Sequence, residues 1–501
     1  MSASVATNKP SLSTLPEGLQ KKIIQFLVEI DEEEDDAHDS CGSCCGDNED
    51  ENEHANHARQ HVSGKSLGEL SDIEQELDAI SGEAPIGSNV SNLSLTSKLW
   101  HQLCCAAIWQ SPDLAERSTE SLLYFYRELL PKYAQHVWSL FLMQTLENIV
   151  EEEDSPFQVV QASTESDREL LVAEEIEKIA KVGASADLGM RKIRATSLIL
   201  GEIVRSCPEL KRIEFDCTVT DPDRGEDASD DIRDNVLLAV KEHASKYGTI
   251  THIGYSLSPD STSTYEDLAG LLSPYKSTLK SLRLDCFSAK GDKQALFAAL
   301  SSLSQLETLD LGESDFVDDE FAELDFSSAL NKLVLGETVE LSISGFVKFV
   351  ERFSSTLTCL QLDGSPYAGS DEESNEEAAG SLPASINLPR LSMLEIATPR
   401  KTNILDCLTS ASEHLRELRI GFCPDFDVDE IIAFVEKRQD TLEALEIDVG
   451  TLLHEELAQL ASSCEELGIA VTVVSAGFDD FTDGDFEEDD GDEEWESDDE
   501  E

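Results

Sequence analysis

One short apolar phrase recurs nine times in this 501-residue chain, and it restricts the available folds more than any other feature. The phrase is an apolar residue, two others, an apolar residue, one other, an apolar residue. It runs through Leu210/Ile213/Phe215, Ile250/Ile253/Tyr255, Leu279/Leu282/Leu284, Leu306/Leu309/Leu311 and Leu330/Leu333/Leu335. It continues at Leu357/Leu360/Leu362, Leu391/Leu394/Ile396, Leu415/Leu418/Ile420 and Leu442/Leu445/Ile447. Val137/Leu140/Leu142 reads as an earlier copy, and Leu467 to Val474 as a closing strand. Start-to-start spacings from Leu210 are 40, 29, 27, 24, 27, 34, 24 and 27. The interval of 34 holds the acidic insertion SDEESNEEAAGSLP, and that of 40 holds TDPDRGEDASDD. Alternation inside each phrase suits a short strand with one buried face. Between phrases, Phe346, Phe349, Val350 and Phe353 share a helix face, as do Val428, Ile431, Ile432 and Val435. A strand-loop-helix unit this small cannot bury its apolar face alone, so the units must stack. Copies of nearly fixed length argue against an ordinary doubly wound α/β domain.

Spacings of about 20–29 residues resemble leucine-rich repeats. The resemblance covers 137–474 and implies an α/β leucine-rich-repeat solenoid of nine or ten units, its parallel strands on the concave side. The family's chain-turning Asn/Cys after the strand is matched only in some units, as at Cys217, Cys286 and Cys423. With aromatics at 6%, the core is expected to be mostly Leu, Ile and Val. The solenoid is assigned to 206–475, and 115–205 to a helical linker and its first turns. In that linker, Leu122, Phe125, Tyr126 and Leu129 predict a helix that Pro131 ends, and 168–182 predicts another.

Upstream lie two amphipathic pieces. LSTLPEGLQKKIIQFLVEI at 12–30 puts Leu19, Ile23, Phe26, Leu27 and Ile30 on one helix face, with Thr14 as N-cap and Pro16 in the first turn. LSLTSKLWHQLCCAAIWQSPDL at 93–114 carries Leu95, Leu99, Leu103 and Ile108 as a second stripe. Together they resemble the F-box, through Leu15-Pro16, Leu19, Ile23 and Leu27, then Leu93-Ser94-Leu95, Lys98, Trp100, Leu103 and Ile108-Trp109. The resemblance covers 12–114, after a disordered 1–11. It departs from the family in the acidic insertion 31–89 between the halves and in Gly18. It implies binding to a Skp-type adaptor on a cullin scaffold of a ubiquitin ligase, through Leu15, Pro16, Leu19, Ile23, Leu27, Leu95, Lys98, Trp100, Leu103 and Trp109.

Net charge is −67, and the base-free segments 29–53, 371–377 and 479–501 hold 34 of the 104 acids, which leaves −33 on the rest. Such a chain repels nucleic-acid phosphates, which need Lys and Arg to release counterions. It favours a basic protein partner, because complementary charge speeds and orients encounter. The tail 476–501 is expected to be disordered. No signal peptide or membrane-length apolar run is read, and the 12 scattered Cys read as reduced thiols, so cytoplasm and/or nucleus is expected. Cys41, Cys44, His57 and His61 have zinc-finger spacing. The residues between them offer no apolar core and no base, so a polar insertion is the expectation and a bare metal clip the alternative. No nucleotide-loop, hydrolase or metalloprotease signature occurs, and His454-Glu455 lacks the second His. Neither an enzyme nor a cofactor is expected. The competing function is that of an acidic leucine-rich-repeat protein that binds basic nuclear proteins such as histones, with no ligase role.

Overall fold

The computed structural model describes residues 98–474 together with Ile23 and Leu93, excepting 116, 144–186, 218–226, 258–262, 286–288, 313, 337–340, 364–382, 384, 398–402, 422, 424–425 and 449–451. Its framework is one parallel sheet whose eleven strands lie side by side in chain order. They are β1 Ser139–Met143, β2 Arg212–Cys217, β3 His252–Leu257, β4 Ser281–Asp285, β5 Thr308–Leu311 and β6 Lys332–Leu335. There follow β7 Cys359–Asp363, β8 Met393–Ala397, β9 Glu417–Ile420, β10 Ala444–Asp448 and β11 Ala470–Val474. This is the leucine-rich-repeat solenoid expected from the spacing, and every recurring phrase of the sequence falls on a strand. The earlier copy is β1 and the closing strand is β11.

Register explains why the phrase repeats. Ile213 pairs with Ile253, Leu282 with Leu309, Leu333 with Leu360 and Leu394 with Leu418, so identical positions stack into continuous columns. The second and fourth residues of β4 to β8 are fully buried. The apolar residue three positions earlier, as at Leu279, Leu306 and Leu330, closes the core at the turn into the strand. Between these columns a backbone ladder repeats. The carbonyl before each strand accepts two successive N–H groups of the next unit: Trp138 from Lys211 and Arg212, Lys211 from Thr251 and His252, and so on to Arg416 from Glu443 and Ala444. Thr358 and Ser392 add a hydroxyl bond to the same carbonyl column, at 3.1 and 3.0 Å. These carbonyl and N–H groups are thereby satisfied within the protein.

Helices cover the other side of the core. Those that bear on the argument are α1 Lys98–Ile108, α2 Thr119–Tyr124, α3 Leu130–Tyr133, α4 Ile343–Arg352, α5 Asn403–Thr409, α6 Val428–Arg438 and α7 His454–Leu467. In α4 the expected face Phe346, Phe349 and Val350 is fully buried, and Ser342 caps the helix through Gly345 N–H. In α6, Val428, Ile431 and Val435 are buried as expected, with Phe434 in place of the half-buried Ile432. Aromatics matter more than their 6% suggests. Phe321 touches Phe297, Phe316, Phe326 and Phe349 at centroid distances of 5.1–5.9 Å, which ties the helical layer together from β4 to β7. Pro131 does not end its helix. The backbone widens into a π-turn over Phe125–Leu129, with Leu130 N–H bonded to Phe125 O, and Pro131 then enters α3 at its first turn. There a missing N–H costs nothing. Neighbouring strands lie about 4.8 Å apart and packed helices about 8–10 Å, so the array bends with its sheet on the inside.

Candidate functional site: the open face of the sheet

Every strand that buries its second and fourth residues must present its first, third and fifth outward. These outward positions form three rows across the sheet, and those whose burial is described are half-buried or exposed apart from Gly254, Val334 and, just past its strand, Gly336. The middle row reads Phe141, Glu214, Gly254, Arg283, Asp310, Val334, Gln361, Glu395, Arg419, Glu446 and Thr472. All outward positions together carry nine acids against four bases, so the face is acidic like the chain.

Three of the four bases are held by carboxylates of the face itself. Arg212 Nε donates to Glu214 at 2.6 Å. Arg283 donates to Asp285 at 3.0 Å and faces Asp310 across 3.8 Å. Arg419 donates to Glu417 at 2.9 Å and faces Glu446 at 3.4 Å. Acids outnumber these partners. Burial therefore pushes the Asp310 carboxyl up to about 6, with Arg283 pulling it down and Asp285 adding to the rise. Burial also raises Glu395, against the pull of Arg419. Strand C-termini are the most acidic edge, since Asp285, Asp363 and Asp448 occupy the fifth row. Beside Asp285 the row falls to bare backbone at Gly312 and Gly336. A Cβ on Gly336 would meet the Gly312 carbonyl carbon at 2.7 Å, so this stretch admits no side chain.

At its first edge the face turns apolar: Trp138 is 44% exposed and Phe141 41%, with Lys211 Nζ 4.6 Å over the Trp138 ring. Here the solenoid meets the F-box-like segment. The Gln110 carbonyl accepts Trp138 and Ser139 N–H at 2.9 and 3.0 Å, and Asp113 bridges Phe141 in parallel. That register aligns Trp109, Pro112 and Leu114 with Val137, Leu140 and Leu142. The motif's end is thus a degenerate repeat that caps the sheet.

This cap decides where the expected adaptor-binding residues lie. Trp109 is 2% exposed, stacks on Tyr133 at 4.4 Å and belongs to the main core. Its side chain is a solenoid core residue, not a surface one. Trp100 is 3% exposed and forms a second small core with Cys104, flanked by Leu93, Leu103 and Ile108. Lys98 opens α1, and Ile23 is helical and half-buried. Leu99, 39% exposed, lies on the outward side of α1 with Gln102 and Ala106. Leu15, Pro16, Leu19, Leu27 and Leu95 lie outside the described residues, as do Cys41, Cys44, His57 and His61. Among the described residues no cluster of His, Cys, Asp and Glu is arranged to hold a metal ion, and no helix is long and apolar enough to cross a membrane.

Two features escape sequence reasoning. The chain-turning position is filled by Cys423 as the sequence suggests, fully buried with Sγ 3.7 Å from Ile396 O, but also by Ser314, which an Asn/Cys pattern misses and whose Oγ meets Leu284 O at 3.5 Å. Ser314 follows Leu311 by three residues, as Cys423 follows Ile420, and that offset is the available signal. Burial pushes the Cys104 and Cys207 thiols up to about 12, far from the thiolate that nucleophilic chemistry requires.

No protein-family profile matches this sequence, and no curated protein matches it. Among solved structures, the chain is similar to one in the crystal structure of the Rad7 and Elc1 complex in yeast, at 13% identity. That alignment covers 82% of this chain and 98% of the other, with a TM-score of 0.39. It is also similar to an internalin from Listeria monocytogenes at 12% identity, covering 60% of this chain and 93% of that one, with a TM-score of 0.24.

Proposed function

We propose that this chain is the substrate-recognition adaptor of a Skp-cullin-F-box ubiquitin ligase, acting in the cytoplasm and/or nucleus. The head, 12–114, binds the Skp-type adaptor and through it the cullin scaffold. The open face of the solenoid holds a protein substrate, a basic one by charge. The transfer chemistry belongs to the ligase, and the chain itself is not an enzyme. The observation that carries this reading is the junction at Gln110. It joins the F-box-like helix α1 to the first strand of an eleven-stranded face that no described helix covers, as an adaptor that presents substrate at a fixed place requires. The test is co-purification with a Skp-type adaptor, wild type against Leu15→Asp. Loss of the adaptor with an unchanged solenoid circular-dichroism spectrum is expected. Equal recovery of the adaptor by both would overturn the assignment.

A second reading is favoured by nine acids against four bases on the face: a binder of basic nuclear proteins such as histones, without a ligase role. The same experiment separates the two, because this reading expects basic proteins and no Skp-type adaptor in the wild-type sample.

A further inference from the structure

The two ends of the sheet are finished differently. At the first, Pro112 and Leu114 are buried and close the core. At the last, β11 pairs with β10 alone among the described residues. Register sets Val471 beside Leu445 and Val473 beside Ile447, yet Ile447 is fully buried while Val473 is 46% exposed and Val471 half-buried. Leu453, immediately before α7, is 73% exposed. Because α7 runs from the rim where strands end to the rim where they begin, Leu453 and Val474 stand at the same rim of the last unit. A solenoid needs a terminal unit with a polar outer side. An unpaired apolar edge is otherwise a template for another chain, and AVTVV carries no charge or Pro to blunt it.

The chain continues from that rim. Residues 475–486 read SAGFDDFTDGDF and lie outside the described residues. Phe478 is four residues past Val474 and Phe481 seven, within about 13 and 24 Å of extended chain. Ala476-Gly477 permits a reversal between them and the strand. A second copy meeting this edge would bring its own 16 acids of 479–501 against the 16 already there. A tethered segment, by contrast, acts at millimolar effective concentration.

We propose that residues 475–486 fold back onto the last unit, with Phe478 and Phe481 covering Val471, Val473 and Leu453. The acidic remainder, 487–501, takes no part in this cover. Hydrogen exchange of 470–474 in the full chain tests this against Phe478→Asp/Phe481→Asp and against a chain ending at Phe486. Exchange at least tenfold faster in the double variant is expected, with the shortened chain like wild type. Phe478→Leu/Phe481→Leu should retain most of the protection. The proposal is overturned by equal exchange in the Asp variant and wild type. It is also overturned if protection is lost when 487–501 alone are removed. Protection that rises with protein concentration, alongside a dimer in light scattering, overturns it in favour of a second copy.

Discussion

Asp310 stands in the middle of the open face, between Arg283 and Val334, with its carboxyl pushed up to about 6 mainly by burial. An unfolded aspartate ionises near about 3.9, so ionising this one opposes folding. Its favourable contribution is full below about pH 4 and is lost as pH rises through about 6. Asp310→Asn removes that loss. Urea denaturation at pH 5, 6, 7 and 8 should therefore show the variant gaining on wild type as pH rises, and levelling above 7. A difference constant with pH would mean that Asp310 ionises like a solvated carboxyl. Binding of a basic partner reads the same group with the opposite sign, since protonation below about pH 6 removes a charge the partner needs. At this scale the alternation is legible in the sequence and the carboxyl's burial is not. The charges that act on it belong to Arg283 and Asp285, which are 27 and 25 residues away and meet Asp310 only through strand register.

Among the elements, α1 and the segment after it lead into the solenoid and begin it. Trp109-x-x-Pro112-x-Leu114 has the spacing of every repeat, so the end of the F-box-like motif is also unit zero of the solenoid. Trp109→Ala should cost about 3–5 kcal/mol, the usual range for emptying a large aromatic site in a core. The loss should appear in chemical denaturation, with hydrogen exchange rising first in β1. A variant that unfolds like wild type would remove Trp109 from the core. Pro112 hides this repeat in the sequence, because it breaks the apolar pattern; on a capping edge a proline's missing N–H is harmless. Helix faces are legible where period and burial agree, as in α4. The π-turn before Pro131 is not, because it depends on burying Phe125 and Leu129 while avoiding the proline ring. Element ends likewise depend on contacts between units: Arg438 of α6 donates to Ser412 O at 2.5 Å and to Thr409 O, completing the end of α5. No local pattern announces that bond.

Across the whole molecule, charge is the influence on association that acts at long range. With −67 on 501 residues and an acidic open face, capture of a basic partner should be driven by long-range attraction. For a basic peptide of about 20 residues rich in Lys and Arg, the association rate should fall at least tenfold between about 50 and 300 mM NaCl, since exposed charges are screened over about 10 Å at 0.1 M. Removing 487–501 should slow association more than it speeds dissociation. Stopped-flow rates indifferent to both changes would rule out electrostatic steering.

The sequence alone determined that the chain is a stack of strand-helix units, because a period of 24–29 residues with alternating apolar cores admits no other way to bury that surface. It also determined the sign of the chain's own charge, because charge is additive and needs no coordinates. Tertiary structure alone decided which carboxylates share a base, which small residue turns the chain after a strand, and how each end of the sheet is finished. Trp109 is core rather than surface, and Val473 is exposed although its register partner Ile447 is buried, for one reason. Burial belongs to the neighbouring unit, and the last unit among the described residues has no neighbour beyond it.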